Sequence, residues 1–343
     1  MTRPPIVTVY SNFGSVGDEH PLVPADPDGL DFRLYCPRLL RRSPYVKRKH
    51  MSPLDMVKLV LSIVHCCVSN LRSSVFVADS MQTGVILSAV LFVLRGKKIV
   101  IWGYNVPRRR NGLARALMAP LMRRADRIVV FGTYDIGYSC ELYGLQPETF
   151  VFTPYSRDEP QPDASAVSPF GDEPFLIAVG ANARDYKTLF EAVEPLGVNL
   201  LVIAREYNTE GLTIPANTRV LHNIPLQACD ELTRRAAFMV MPLDGSEPSC
   251  GQVTIVTAYL FGVPVIASSC TGTQDYIAND ETGLLVPIGD APALRAAIER
   301  LWNDDSQRAR LAEGAKAWAE AHATTEARET QLRRTIRDAL SSR

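Results

Sequence analysis

Among 343 residues there is no Cys-x-x-Cys pair, no apolar run long enough for a bilayer and no net excess of either charge. Each absence excludes a class of protein. The seven cysteines, at positions 36, 66, 67, 140, 229, 250 and 270, are odd in number and scattered. That argues against a disulfide framework and a cysteine zinc site, and it fits a reducing cytoplasm. The most apolar stretch, Val85–Leu94, contains Ser88 and stops at Arg95, short of the roughly 20 residues that a spanning helix needs. The opening MTRPPIVTVYSNFG passes straight into a strand-like run, so no signal peptide is expected. The one Asp-x-Asp, Asp26-Pro27-Asp28, sits in a proline-rich loop with no adjoining apolar strand, and no metal is expected there.

What is present is the composition of an ordinary globular enzyme, 46% hydrophobic and 22% charged, with length for about two domains. The zero charge is a cancellation. Residues 1–150 carry 20 Lys and Arg against 11 Asp and Glu, an excess of nine cations, and residues 151–343 carry 17 against 26. The basic excess gathers at Arg38, Arg41, Arg42, Lys47, Arg48 and Lys49, and at Arg108, Arg109, Arg110, Arg115, Arg123 and Arg124. It reads either as a solvated face attracted to the acidic half or as a surface that meets membrane lipid or a polyanion.

Short β-branched runs alternate with helix-length segments, the pattern of βαβ units around a parallel sheet. The first series is Ile6–Tyr10, Val75–Asp79, Ile99–Trp102 and Ile128–Phe131. The second is Phe175–Val179, Leu200–Ala204, Arg219–Leu221, Phe238–Met241, Pro264–Ala267 and Leu284–Pro287. Ser52-Pro53-Leu54-Asp55 marks a helix start. The apolar residues that follow, from Met56 to Val68, fall on nearly every side, so that helix is expected to be buried or covered by a partner. Five prolines between Pro154 and Pro174 interrupt the pattern. The expected organisation is an α/β half over residues 1–155, a linker at 156–174, a second α/β half over 175–321 and a closing helix at 322–343.

Ligands of open parallel sheets bind beyond the carboxyl ends of the strands, so the candidate residues are those that follow each run. After FLIAVG comes a glycine-led loop with Arg184 and Lys187, a fork and a mobile point charge that suit a diphosphate, or else two surface cations. After Met241-Pro242, Gly251 and Gln252 open a helix whose amides can hold an anion. Glu247 reads as a partner of sugar hydroxyls or as a solvated acid. His222 and Asn223 end a strand where a nucleotide base would lie. Cys250 has no histidine nearby in the sequence and reads as filler.

The segments VGANARDYKTL, MPLDGSEPSCGQ, FGVPVIAS and, above all, TGLLVPIGDAPAL resemble the carboxyl-terminal domain of the family-four, or group 1, glycosyltransferases of the GT-B fold, over about residues 175–321. The resemblance implies two Rossmann-like parallel-sheet domains across a cleft, the first binding an acceptor and the second a nucleotide-diphosphate sugar such as a UDP-sugar. It implies that the closing helix packs back toward the first domain. It also implies that Arg184, Lys187 and the Gly251-Gln252 helix start hold the diphosphate, that Glu247 contacts the donor sugar, and that Thr257 stands where a second acid usually meets the ribose. In the amino half, the glycine loop at Gly14 lies where donor and acceptor would meet. Asp18, Glu19 and His20 beside it are candidates for acceptor activation, and Tyr104 or Asn105 takes the place of a histidine found in relatives. The expectation is a retaining, metal-independent transfer to an acceptor hydroxyl, without a cofactor, in the cytoplasm or on the inner face of its membrane. A sugar-nucleotide epimerase or phosphorylase of the same fold, or a non-catalytic nucleotide-sugar-binding subunit, is the alternative.

Overall fold

A computed structural model describes residues 4–11, 20–37, 52–92, 96–104 and 112–342. The chain forms two compact units, one made of residues 1–131, 135–153 and 329–343, the other of 132–134 and 154–328.

In the first unit the elements run β1 (Ile6–Tyr10), β2 (Asp31–Tyr35), α1 (Pro53–Ser69), β3 (Val75–Ala78), α2 (Met81–Val90), β4 (Lys98–Tyr104), α3 (Gly112–Met122), β5 (Arg127–Val130), α4 (Tyr134–Tyr143) and β6 (Phe150–Phe152). The strands form one parallel sheet in the order β2-β1-β3-β4-β5-β6. A parallel sheet is covered on both faces, which is why its central strands are nearly all apolar. Phe76, Ala78, Ile99, Ile101, Ile128 and Val130 point to a layer of helices that includes Leu59 and Ile63 of α1 and Leu87 of α2. Val7, Val9, Val75, Val77, Val100 and Val129 point the other way, onto Leu332, Ile336 and Ala339 of a carboxyl-terminal helix.

One feature departs from the sequence expectations, and a second bears on the expectation that the helix from Pro53 is buried or covered by a partner. β2, DFRLY, follows the Asp26-Pro27-Asp28 loop directly, and as a half-exposed edge strand it carries Asp31 and Arg33 in place of an apolar run. Asp28 accepts from Arg337 at 2.5 Å, and that guanidinium holds its carboxyl below the usual range. Helix α1 is not buried all round. Leu59, Ile63, Cys66 and Cys67 face the core, whereas Leu54, Val57, Leu61 and Val68 stay more than half exposed.

The second unit runs β7 (Leu176–Val179), α5 (Tyr186–Val193), β8 (Leu200–Ala204), α6 (Glu206–Thr209), β9 (Thr218–His222), α7 (Leu226–Arg235), β10 (Phe238–Met241), α8 (Gln252–Leu260), β11 (Val265–Ser268), α9 (Thr271–Gln274), β12 (Gly283–Val286), α10 (Ala291–Asn303), α11 (Asp305–His322) and the start of α12 (Thr325–Ser341). Its parallel sheet has the order β12-β11-β10-β7-β8-β9. α5 and α10 cover one face and α8 and α11 the other, with residues of each strand alternating between the two cores. Residues 154–174 form neither helix nor strand. They are bonded along this unit, through Arg157 to Asp230 and through the Asp163 amide to the Gln227 carbonyl.

Candidate functional site

The order of the second sheet reverses between β7 and β10, since the chain proceeds from β7 to β8 on one side and returns to β10 on the other. Because α5 and α8 leave these strands toward opposite faces, the loops that follow β7 and β10 stand side by side at the carboxyl ends, where open parallel sheets bind their ligands. The two loops are tied together. Arg184 bridges to Leu243, the Asp185 amide donates to the Pro242 carbonyl and the Asp244 amide to the Ala183 carbonyl.

Arg184 folds back over its own loop, where Gly180 has φ +126° and a Cβ would stand 2.5 Å from the guanidinium. Its Nε donates to Val179 O at 3.1 Å and its Nη1 to Asn182 O at 2.9 Å. Nη1 also reaches Cys250 Sγ at 3.4 Å, and Nη2 donates to Thr254 Oγ1 at 3.0 Å. All of these acceptors are neutral, and no carboxylate among the described residues compensates the charge. The guanidinium thus lies against the first turn of α8. Gly251 caps that helix with φ +103° and without a side-chain bond, so the amides of Gln252, Val253 and Thr254 have no acceptor among the described residues. A fixed cation beside unsatisfied helix-start amides is an anion site.

Lys187 lies in the first turn of α5 with its side chain 72% exposed and only a loose pairing, 3.9 Å, to Glu191. It is therefore free to swing. α5 itself is capped by Asp185, which accepts from the Thr188 amide at 3.0 Å. Glu247 is exposed on the α8 loop, and no described side chain takes its carboxylate. The Gln252 amide group donates to the Ser249 carbonyl and so stiffens the turn rather than pointing outward. Burial pushes the Cys250 thiol above its ordinary pKa, and its Sγ donates to Asn182 O at 3.1 Å, which suits a packing role and not a nucleophile.

His222 and Asn223 lie at the end of β9. His222 Nδ1 donates to Ala204 O at 3.1 Å, and Asn223, in left-handed backbone with φ +54°, accepts from Arg205. Thr257 occupies a different setting from an open ribose contact. Its hydroxyl donates to Val253 O and accepts from Arg157 Nη1, both at 2.8 Å, while Arg157 also forks onto Asp230, which is 2% exposed.

In the first unit the order reverses between β1 and β3. There Ser11 donates to Asp79 Oδ2 at 2.7 Å and Thr83 to Asp79 Oδ1 at 3.2 Å, so a carboxylate stands at the strand ends. His20 is buried and accepts from the Leu22 amide at Nδ1, 3.2 Å away, which places its ring proton on Nε2. Tyr104 closes β4, with its side chain outside the described residues. Gly14, Asp18, Glu19 and Asn105 also lie outside the described residues.

The structure therefore gathers Arg184, Gly251 and Gln252 at one switch point, and places His222 and Asn223 together at the end of the edge strand β9. Sequence reasoning missed Arg205, Asp79 and the Arg157–Asp230 pair. The first two follow strands directly and answer to the same strand-end rule that selected Arg184. The third joins residues 73 apart and has no local signal.

Comparison with known proteins follows the same division. Residues 175–304 match the family model described as glycosyl transferases, group 1. The chain is 29% identical over 185 residues to the lipopolysaccharide core biosynthesis glycosyltransferase LpsE of Rhizobium meliloti, a match covering 52% of this chain and 53% of that protein. It thus spans about half the length of that curated relative. The fold is shared with a glycosyltransferase from Rickettsia africae, at TM-score 0.68 and 12% identity over the whole of both chains. It is shared as well with Anabaena HepE crystallised in complex with UDP-glucose, at TM-score 0.68 and 15% identity over 96% of this chain and 99% of that one.

Proposed function

We propose, from the match of residues 175–304 to the group 1 glycosyl transferases, that the chain moves a sugar from a nucleotide-diphosphate donor to an acceptor hydroxyl. The observation that carries this reading is the uncompensated Arg184 guanidinium laid against the unsatisfied first turn of α8.

In this reading the acceptor oxygen attacks the anomeric carbon as the bond from that carbon to the diphosphate oxygen breaks. Negative charge grows on the departing diphosphate, where Arg184, the α8 amides and the mobile Lys187 meet it. These groups supply the positive charge that a divalent ion supplies elsewhere, which supports transfer without a metal. The proton of the acceptor passes to the leaving phosphate on the face it vacates, which gives retention of configuration. Glu247 is free to accept from hydroxyls of the donor sugar. The nucleoside extends toward Arg205, His222 and Asn223 at the ends of β8 and β9. A uridine nucleotide is the first choice, supported by the fold shared with a protein that binds UDP-glucose. The amino-terminal unit carries the acceptor, and its cationic excess suits one that is anionic or lies among anionic groups. Seven free cysteines support a reducing compartment, the cytoplasm.

A thermal-shift panel of UDP, GDP, ADP and dTDP tests the donor site. A nucleotide at 100 times its dissociation constant adds about 2.7 kcal/mol. A shift with one diphosphate, lost in Lys187→Ala, is the expected result. A flat response to all four sinks the donor site, whatever the acceptor.

A further inference from the structure

Arg205, His222 and Asn223 follow or end two adjoining strands, and hydrogen bonds fix what their polar heads have left to offer. β8 and β9 pair with Ala204 opposite His222, so Arg205 comes next to Asn223. The turn that carries Arg205 is tied to the anion loop, since Asn208 Nδ2 donates to Ala181 O at 2.8 Å. β8 stands between β7 and β9. At about 4.8 Å per strand, the end of β9 lies roughly 10 Å across the sheet from the end of β7. A ribose and its base cover that distance from a phosphate held by Arg184.

His222 Nδ1 bonds Ala204 O at 3.1 Å. A carbonyl only accepts, so the neutral ring carries its proton on Nδ1 and Nε2 is an acceptor. Arg205 Nη1 donates to Asn223 Oδ1, which leaves the two N–H bonds of Nδ2 as what Asn223 presents. No described residue takes His222 Nε2 or Asn223 Nδ2. The remaining N–H groups of Arg205 can only donate.

The strand ends thus offer two donor groups and one acceptor. Uracil carries the complement, O4 and O2 as acceptors on either side of N3–H, and thymine has the same edge. Cytosine sets the N3 lone pair against His222 Nε2 and an amino group against a donor, a repulsive pairing twice over. Adenine repeats both clashes, and guanine has a single acceptor beside two donors.

We infer that Arg205, His222 and Asn223 select the base of the donor by reading the O4, N3–H and O2 edge of uracil or thymine. The inference rests on the sugar-transfer reading for a nucleotide at this site and adds which groups choose it.

The full chain is tested by calorimetric titration with UDP, dTDP, CDP, GDP, ADP and, as a probe without a base, inorganic pyrophosphate. UDP or dTDP should bind at least about tenfold more tightly than CDP and either purine nucleotide, and the tighter of the two identifies the base. Asn223→Asp puts an acceptor in place of the amide donor, and aspartate tolerates the left-handed backbone there, φ +54°. It should weaken UDP about tenfold and tighten CDP. His222→Phe keeps a ring and removes Nε2, so it should weaken UDP about tenfold and leave CDP as it was. Pyrophosphate binding should be unchanged in both; should one variant lose it, the other gives the reading.

CDP or a purine nucleotide bound as tightly as UDP and dTDP overturns the inference. So does a ratio of UDP to CDP affinity that both variants leave as in wild type. Either result leaves the donor site standing. If neither pyrophosphate nor any nucleotide binds, the donor site itself fails and base selection falls with it.

Discussion

Arg184 Nη2 donates to Thr254 Oγ1 across 3.0 Å, so a side chain from the loop after β7 is pinned to the first turn of the helix after β10. The charge is held in place by neutral acceptors, so its field stays available to an incoming anion. Replacing Arg184 by Ala removes both the field and the donors to Val179 and Asn182. The expected outcome is a loss of stability on the order of 2 kcal/mol together with a roughly 100-fold fall in kcat. Arg184→Lys should retain little activity, because an ammonium cannot span the same acceptors. Denaturant titration and initial rates measure the two effects, and a fully active Arg184→Ala would remove this residue from the mechanism.

Lys187 separates charge from scaffold. Its side chain is largely exposed and paired only at 3.9 Å, so Lys187→Ala should leave the unfolding midpoint within about 0.5 kcal/mol of wild type. Transfer should drop by about 100-fold or more. Undiminished turnover would refute its assignment to the diphosphate.

Gly272, in α9, abuts the loop that leads into α8. A Cβ there would lie 2.4 Å from Pro248 O and 2.9 Å from Ser249 Cα, both backbone atoms that cannot step aside alone. Gly272→Ala should therefore cost about 1–3 kcal/mol and displace the 248–251 turn. Weaker UDP binding by calorimetry, out of proportion to the stability loss at the assay temperature, is the expected readout.

The Arg157–Asp230 pair ties residues 154–174 to the second unit. Arg157→Ala strands the Asp230 carboxylate, which is 2% exposed, and should cost about 3 kcal/mol. The double variant Arg157→Met/Asp230→Leu should recover most of that loss, since it removes the buried charge along with its partner. Equal stability of the single and double variants would argue against a buried ion pair.

Thiol titration reports the cores. Burial pushes the Cys66 thiol up to about 12 and Cys67 up to about 11, and it raises Cys250 as well. At pH 8 all three remain protonated thiols, and the nucleophilic thiolate is scarce as well as hidden. Native protein should leave these three unmodified by Ellman's reagent over minutes, whereas guanidinium should expose all seven. Prompt reaction of more than four thiols in native protein would contradict the packing.

Much of the fold was legible because parallel strands buried on both faces must be written as apolar runs. Ile6–Tyr10, Leu200–Ala204 and Phe238–Met241 have the bounds that their β-branched text implies. β2 was not legible, because an edge strand with half-exposed Asp31 and Arg33 carries no such run. β6, three residues long, is too short a pattern for periodicity to mark. In the site, Arg184 and Gly251 could be found by their place after strands, whereas the carbonyls and hydroxyl that hold Arg184 could not. Nothing local in Val179, Asn182 or Thr254 marks them as its acceptors.

By itself, the sequence determined where strands and helices alternate, which residues follow each strand, and that the cations concentrate in the first 150 residues, because these depend on local periodicity and on composition. Tertiary structure alone decided the order of the strands, and with it that the loops after β7 and β10 meet at a reversal. It also turned Arg184 back onto α8 and left one side of α1 open. Strand order and exposure are set by pairings between residues tens of positions apart, and no window of local pattern contains both partners.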